Sequence, residues 1–294
     1  MKFFKENMVE YHVAQEVAPG VRRVMANNPS LLTYHGTGTF IIGEGKVTII
    51  DPGPCIPSHL DALLNAIEGE QLLQILITHT HLDHSPAAAV LKSHTGAPTI
   101  GFGPHVKISG TNSEEGADYD FCPDIVVKNG DIVDGTEDKF EVIHTPGHTS
   151  NHLCFSLNDR SILFCGDHVM GWSTTIVSPP DGNMASYRNS LKYLTKRTEE
   201  VYLPTHGPSI KNPKIYIQDL IKHRDQREIE ILDSISSNMS NTSDIVDKLY
   251  INLDPRLHSA AQRSVLAHLI QLVEEGKVLA DTDYINNDSN FYTG

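Results

Sequence analysis

Residues 78–85 read Thr-His-Thr-His-Leu-Asp-His-Ser, placing three imidazoles and a carboxylate within six positions, His79 to His84. Neutral imidazoles and a carboxylate packed this closely leave lone pairs and a charge uncompensated unless a cation sits among them. An isolated histidine usually satisfies a neighbouring backbone group, but four such donors together point to metal. In extended backbone, residues two apart share a side, so His79, His81 and Asp83 would face one centre and His84 another. That pattern predicts two ions.

The elements on either side explain why the donors stand there. Leu72 to Ile77 is an apolar run of strand length, and Ser85-Pro86 opens a helix, with Ser85 as its cap. The motif therefore belongs to a strand-to-helix loop. Further strand ends deliver more groups of the same kind. Lys46 to Ile50 runs into Asp51, read as an acceptor that orients a metal-bound histidine. Phe140 to Ile143 runs into a Pro-Gly turn with His148 beyond it, preferred as a ligand to His144 within the strand. The second strand of the hairpin His152 to Gly166 ends at Asp167, and Glu200 to Leu203 ends before His206. A sheet presenting all these ends along one edge would gather them on a rigid scaffold.

Other elements follow from pattern. Residues 21–52 read as an antiparallel meander, 58–68 as an amphipathic helix, and 97–100 as a short strand. Residues 101–123, with Glu114, Glu115, Asp118 and Asp120, are expected to be a loop bordering the site. Asp124 to Val127 and Phe140 to Ile143 are strands on either side of a turn at Asn129-Gly130-Asp131. Met170 to Asp181 is a loop holding the single tryptophan, Trp172, and the helix after it carries Arg188 and Lys192. These three are the expected substrate contacts. After Pro213 the chain turns helical, with helices at 215–234, 243–250 and 257–275, one strand at 276–280, and a tail expected to fray.

With 294 residues, 39% of them hydrophobic, the chain can bury one large core and a small one. A formal charge of −14 repels phosphate backbones and anionic membrane surfaces at long range, although bound divalent ions reverse the sign locally. The cysteines at 55, 122, 154 and 165 make no Cys-x-x-Cys pair and are expected to be buried free thiols. The N-terminal stretch lacks the apolar core of a signal peptide, and no apolar run is long enough to cross a membrane. The expected location is cytoplasmic.

With these donors assembled, the chain resembles the metallo-beta-lactamase superfamily from about Val21 to Pro208, and its long helix and C-terminal unit resemble the beta-lactamase-like protein 2 group. The resemblance implies an α/β fold, a four-layer αββα sandwich over residues 1–212, followed by a small winged-helix-like helical domain at 213–294. It implies that His79, His81 and His148 hold one metal, and Asp83, His84 and His206 the other, with Asp167 bridging and Asp51 behind. Zinc is the expected pair of ions, with iron or manganese as alternatives. A hydroxide shared between them would be the nucleophile, organised by Asp83, the expected catalytic residue. Pro86-Ala87 departs from the two glycines many relatives carry there.

The favoured function is hydrolysis of a small ester, thioester or lactone. The alternative is endonucleolytic cleavage of single-stranded RNA, known from animal members of that group. A non-catalytic regulatory protein comes third. The winged-helix-like unit carries too many acidic residues for a DNA reader and is expected to pack on the first domain or to form a homodimer.

Overall fold

The computed structural model describes residues 2–5, 9–107, 116–135 and 139–294. The strands are β1 (Ala14–Ala18), β2 (Val21–Met25), β3 (Gly38–Glu44) and β4 (Lys46–Ile50), followed by α1 (Pro57–Ala66), β5 (Gln71–Leu76), α2 (Ala87–Thr95), β6 (Thr99–Gly101) and β7 (Ile125–Val126). They form a seven-stranded sheet in the order β1-β2-β3-β4-β5-β6-β7, antiparallel as far as β4 and parallel from β4 onward. Next come β8 (Ile132–Asp134), β9 (Lys139–His144), β10 (Leu153–Leu157), β11 (Ile162–Gly166), α3 (Met184–Leu194), β12 (Val201–Pro204) and β13 (Ile210–Lys211). These build a six-stranded sheet, β13-β12-β11-β10-β9-β8, whose single parallel pairing is β11 with β12.

Strand alternation assigns each side chain to a layer. Phe40, Ile42 and Ile50 point into the core between the sheets, where they meet Phe155, Leu157 and Phe164. Ile41 and Ile49, one step out of phase, pack under α1 and α2. On the second sheet Cys154, Leu163 and Cys165 face away and meet α3 and the first turns of α4 (Pro213–Ser236). Helices, sheet, sheet, helices is the αββα order expected from the sequence. With both faces of both sheets covered, strands such as β10 and β11 are buried throughout and mostly apolar.

The helix α4 spans two cores. Tyr216, Ile217 and Leu220 pack on the second sheet, whereas Ile231 and Ile235 join α5 (Thr242–Leu249), α6 (His258–Glu274), β14 (Val278–Ala280) and β15 (Phe291–Thr293). β14 and β15 form an antiparallel hairpin. The tail is thus not frayed: Phe291 is buried, and its N–H donates to the Ser240 carbonyl at 2.7 Å. Sequence reading missed β15 because the polar run 281–290 hides one apolar anchor.

Three smaller expectations also change. β7 and β9 flank one turn in sequence but lie in different sheets, and the chain crosses over through β8. Cys154 and Cys165 are buried, whereas Cys55 and Cys122 are exposed. Ser85 caps no helix; α2 begins at Ala87, and the Ser85 hydroxyl donates instead to Asp118 Oδ2 at 2.7 Å. No helix among the described residues is long and apolar enough to cross a membrane.

Candidate metal centre

β4, β5, β9, β11 and β12 all point their C-terminal ends to the same edge of the sandwich, because β4 and β5 run parallel in one sheet and β9, β11 and β12 in the other. Asp51, the 78–85 loop, His148, Asp167 and His206 follow those ends in turn. Two groups of donors result: His79, His81 and His148 together, and Asp83, His84 and His206 together. Asp167 Oδ2 lies between them, 3.3 Å from His206 Nε2, 3.6 Å from His84 Nε2 and 3.8 Å from His148 Nε2.

The alternation argument that set Asp83 beside His79 and His81 fails locally. After His81 the backbone turns, with the His84 N–H donating to the His81 carbonyl at 2.9 Å, so the two-residue period ends there. Asp83 swings to the other group, 3.2 Å from His206 Nε2 and 3.5 Å from His84 Nε2.

The groups behind the donors settle which nitrogen carries the proton. His148 Nδ1 donates to the Ile176 carbonyl at 2.7 Å and His206 Nδ1 to the Gly36 carbonyl at 3.0 Å, so each turns its Nε2 towards the centre. His84 Nδ1 donates to Asp51 Oδ2 at 2.9 Å. The Thr78 hydroxyl gives its own proton to Asp51 Oδ2 at 2.6 Å, so at 3.0 Å it accepts from His79 Nδ1. His79 Nε2, His148 Nε2 and His81 Nδ1 then converge at 2.9 and 3.2 Å. Lone pairs meeting at this range, together with a buried His84 Nε2 and Asp167 Oδ1 that have no hydrogen-bond partner, are what divalent ions satisfy. The residues fit two such ions.

Asp51 also sits near His79 and His84, but its oxygens are already taken. Thr78 N at 2.8 Å, the Thr78 hydroxyl, His84 Nδ1 and the Thr205 hydroxyl at 3.2 Å all donate to it, and it is fully buried. It holds the donors in place. Its backbone φ of 47° is left-handed, which the short polar side chain tolerates.

The electrostatics divide the two groups. Burial, followed by repulsion from neighbouring imidazoles, drives the protonation of His79 and His81 well below the usual histidine range. At His206 burial acts the same way, but Asp167 and Asp83 outweigh it and raise the group to about 10. His84 is likewise raised, against its burial, by Asp83, Asp167 and Asp51. Asp83 and Asp167 stay ionised because those imidazoles overcome the cost of burying them.

Five supporting residues were not singled out from sequence. His152 accepts from the Asp167 N–H at 3.2 Å and bonds Thr145, fixing the loop that presents Asp167. The Thr37 hydroxyl donates to Asp83 Oδ2 at 3.2 Å, and Gly36 and Thr78 act as described. Gly166, at φ +48°, is forced: a Cβ there would stand 2.6 Å from His152 Nε2 and 2.9 Å from Thr78 Oγ1. Only Thr78 lay in a stretch whose composition drew attention.

The expected substrate contacts fare differently. Trp172 stacks on Tyr34, ring centroids 4.9 Å apart, beside the centre. Arg188 is elsewhere: it pairs with Asp225 at 2.6 Å and with Glu228, tying α3 to α4. Lys192 is exposed on α3. None of the three lines the cavity above the histidines. The loop expected to border the site does so where it is described, Ala117 bridging to His81 and the Asp118 N–H reaching the Thr80 carbonyl at 2.8 Å; Glu114 and Glu115 lie outside the described residues.

Residues 34–206 match the Metallo-beta-lactamase superfamily. The chain belongs to that superfamily. Residues 242–286 match the Beta-lactamase associated winged helix domain, the region of α5, α6 and β14. The beta-lactamase-like protein 2 homolog of Drosophila melanogaster is 30% identical over 287 residues, covering 92% of this chain and 93% of that one. An atrochrysone carboxyl ACP thioesterase of Aspergillus chevalieri is 30% identical over 75% of this chain and 67% of its own length. The chain spans about two thirds of the length of two of the fungal relatives it matches, this thioesterase and a lactamase-like protein of Pestalotiopsis microspora. A crystal structure of a beta-lactamase domain protein from Burkholderia ambifaria superposes with a TM-score of 0.81 at 21% identity, covering 98% of this chain and 96% of that one. This metallo-beta-lactamase chain carries His and Asp clusters suited to divalent metal.

Proposed function

We propose that this protein hydrolyses carboxylic esters, thioesters or lactones with two divalent ions, zinc in preference to iron or manganese. The observation that carries this reading is the cavity above the two donor groups. It measures about 300 Å³ and is lined by Leu32, Leu82, Met170 and Ile176 around His81, Asp83, His148, Asp167 and His206, with no lysine or arginine among the described residues. A polyanion would find no cation there except the metals. A relative named as a thioesterase adds support for an acyl substrate.

In this reading His79, His81 and His148 hold one ion, Asp83, His84 and His206 the other, and Asp167 faces both. Bound there, the ions would supply an activated water at neutral pH and polarise the substrate's carbonyl oxygen. Asp83, oriented by Thr37 and His206 and partly open to the cavity, stays ionised and can take the proton the attacking water gives up. Leu32, Met170 and Ile176 keep bulk solvent from the carbonyl.

The test is an assay of metal-loaded protein against thioesters, lactones and labelled single-stranded RNA. Acyl hydrolysis that His81→Ala abolishes is expected. RNA cleavage without acyl hydrolysis would overturn the assignment in favour of the alternative substrate.

A further inference from the structure

The metal cavity does not end at its own walls. Leu32, Met170 and Ile176 also border a second cavity of about 110 Å³, between the 170–176 loop and the C-terminal domain. Its far wall consists of Tyr250, Leu253 and Leu257, which belong to the link between α5 and α6, and Ala261 of α6. Two aromatic rings shape it and both are held: Trp172 by stacking on Tyr34, and Tyr250 by the Arg227 guanidinium 4.3 Å from its centroid.

One charged group lines this apolar cleft. Arg224 of α4 is 3% exposed, donates to the Thr175 carbonyl and lies 5.2 Å from the Tyr187 ring, with no carboxylate partner among the described residues. Its Nε has no hydrogen-bond partner, nor does the buried Trp172 Nε1. Burying a cation without a counter-ion is costly, and buried donors without acceptors add to that cost. An oxygen-bearing ligand group at this wall would offset both.

We propose that the acyl part of the substrate passes Leu32, Met170 and Ile176 into this cleft, so that the C-terminal domain selects ring-bearing acyl groups carrying an acidic oxygen at their distal end. The assignment rests on the acyl-hydrolase reading above and names its substrate class. The thioester carbon stays over the metals while the ring packs among Trp172, Leu253 and Ala261, and the distal oxygen faces Arg224. The winged-helix-like unit becomes a specificity wall. Restricting the acyl group to this shape is the role that contact gives it.

Thioesters of N-acetylcysteamine with acetyl, 3-phenylpropanoyl and 3-(4-carboxyphenyl)propanoyl groups test this. kcat/KM is expected to rise about tenfold or more from acetyl to phenylpropanoyl, from the apolar area buried, and further for the carboxylated ring. Ala261→Phe, which fills the cleft, should collapse that ratio towards one; Leu253→Ala, which enlarges it, is the second variant should the first fail to fold. Trp172 is the only tryptophan, so titration with 3-(4-carboxyphenyl)propanoate should shift its fluorescence saturably, and should fail to do so in Ala261→Phe. Acyl hydrolysis with no preference among the three groups, and no fluorescence response, would overturn the cleft while leaving the metal reading intact. A fluorescence response without hydrolysis of any thioester would support the cleft and sink the acyl-hydrolase reading.

Discussion

Asp51→Asn isolates what the structure asks of one buried carboxylate. Four donors converge on it, three at Oδ2 and the Thr78 N–H at Oδ1. An asparagine can keep an oxygen for the three only by turning its NH2 towards the Thr78 N–H, which then loses its acceptor. Hydrogen bonds to a charged group contribute about 1.5–3 kcal/mol each, and the three that remain weaken when the charge is removed. The sum is about 3 kcal/mol or more, roughly 6 °C or more in Tm for a chain of this size. The variant also loosens both donor groups, because Asp51 fixes His84 directly and His79 through Thr78. Metal affinity should fall roughly 10–100-fold. Calorimetric unfolding and competition with a chelating dye measure the two effects. Unchanged affinity and a Tm within about 1 °C of wild type would refute the argument that Asp51 orders the centre.

Removing metal exposes the charge difference between the two groups. His79 and His81 are already neutral, so they release few protons when the first ion binds, while the second must displace protons from His84 and His206 and weaken as pH falls below about 10; titration in buffers of different ionisation enthalpy reads this. In the chelated protein His206 is raised from 6.5 to about 10, so its contribution to stability is complete below pH 6.5 and disappears as pH climbs to about 10, which Tm against pH checks. Gly166→Ala should cost several degrees of Tm and displace Asp167, seen as lost metal stoichiometry, because the added methyl meets His152 and Thr78. Arg188→Ala should lower stability only modestly, by about 1 kcal/mol, because Asp225 is half exposed and Glu228 keeps Lys277 at 2.8 Å, with kcat/KM unchanged.

The seven candidate ligands were legible because each follows a strand end, and strand ends are readable from apolar runs. Which donors share a centre was legible only from the family resemblance: alternation predicts Asp83 with His79 and His81, and the turn after His81 reverses that. Arg188 illustrates a second limit, since a cation on a helix near a candidate site has no signature distinguishing a substrate contact from a partner of α4 carboxylates. The supporting threonines, Gly36 and His152 escaped notice because their roles depend on tertiary neighbours more than 20 residues away in most cases, such as Thr37 with Asp83 and His206 with Gly36. β15 was hidden because one buried phenylalanine carries it.

The claim on which everything else stands is that these donors trap two ions needed for turnover. Metal analysis of the purified protein, paired with activity before and after chelation, tests it most directly. The account predicts about two equivalents per chain, activity lost on chelation and restored by zinc, and neither in His81→Ala. A metal-free protein that is fully active would contradict it.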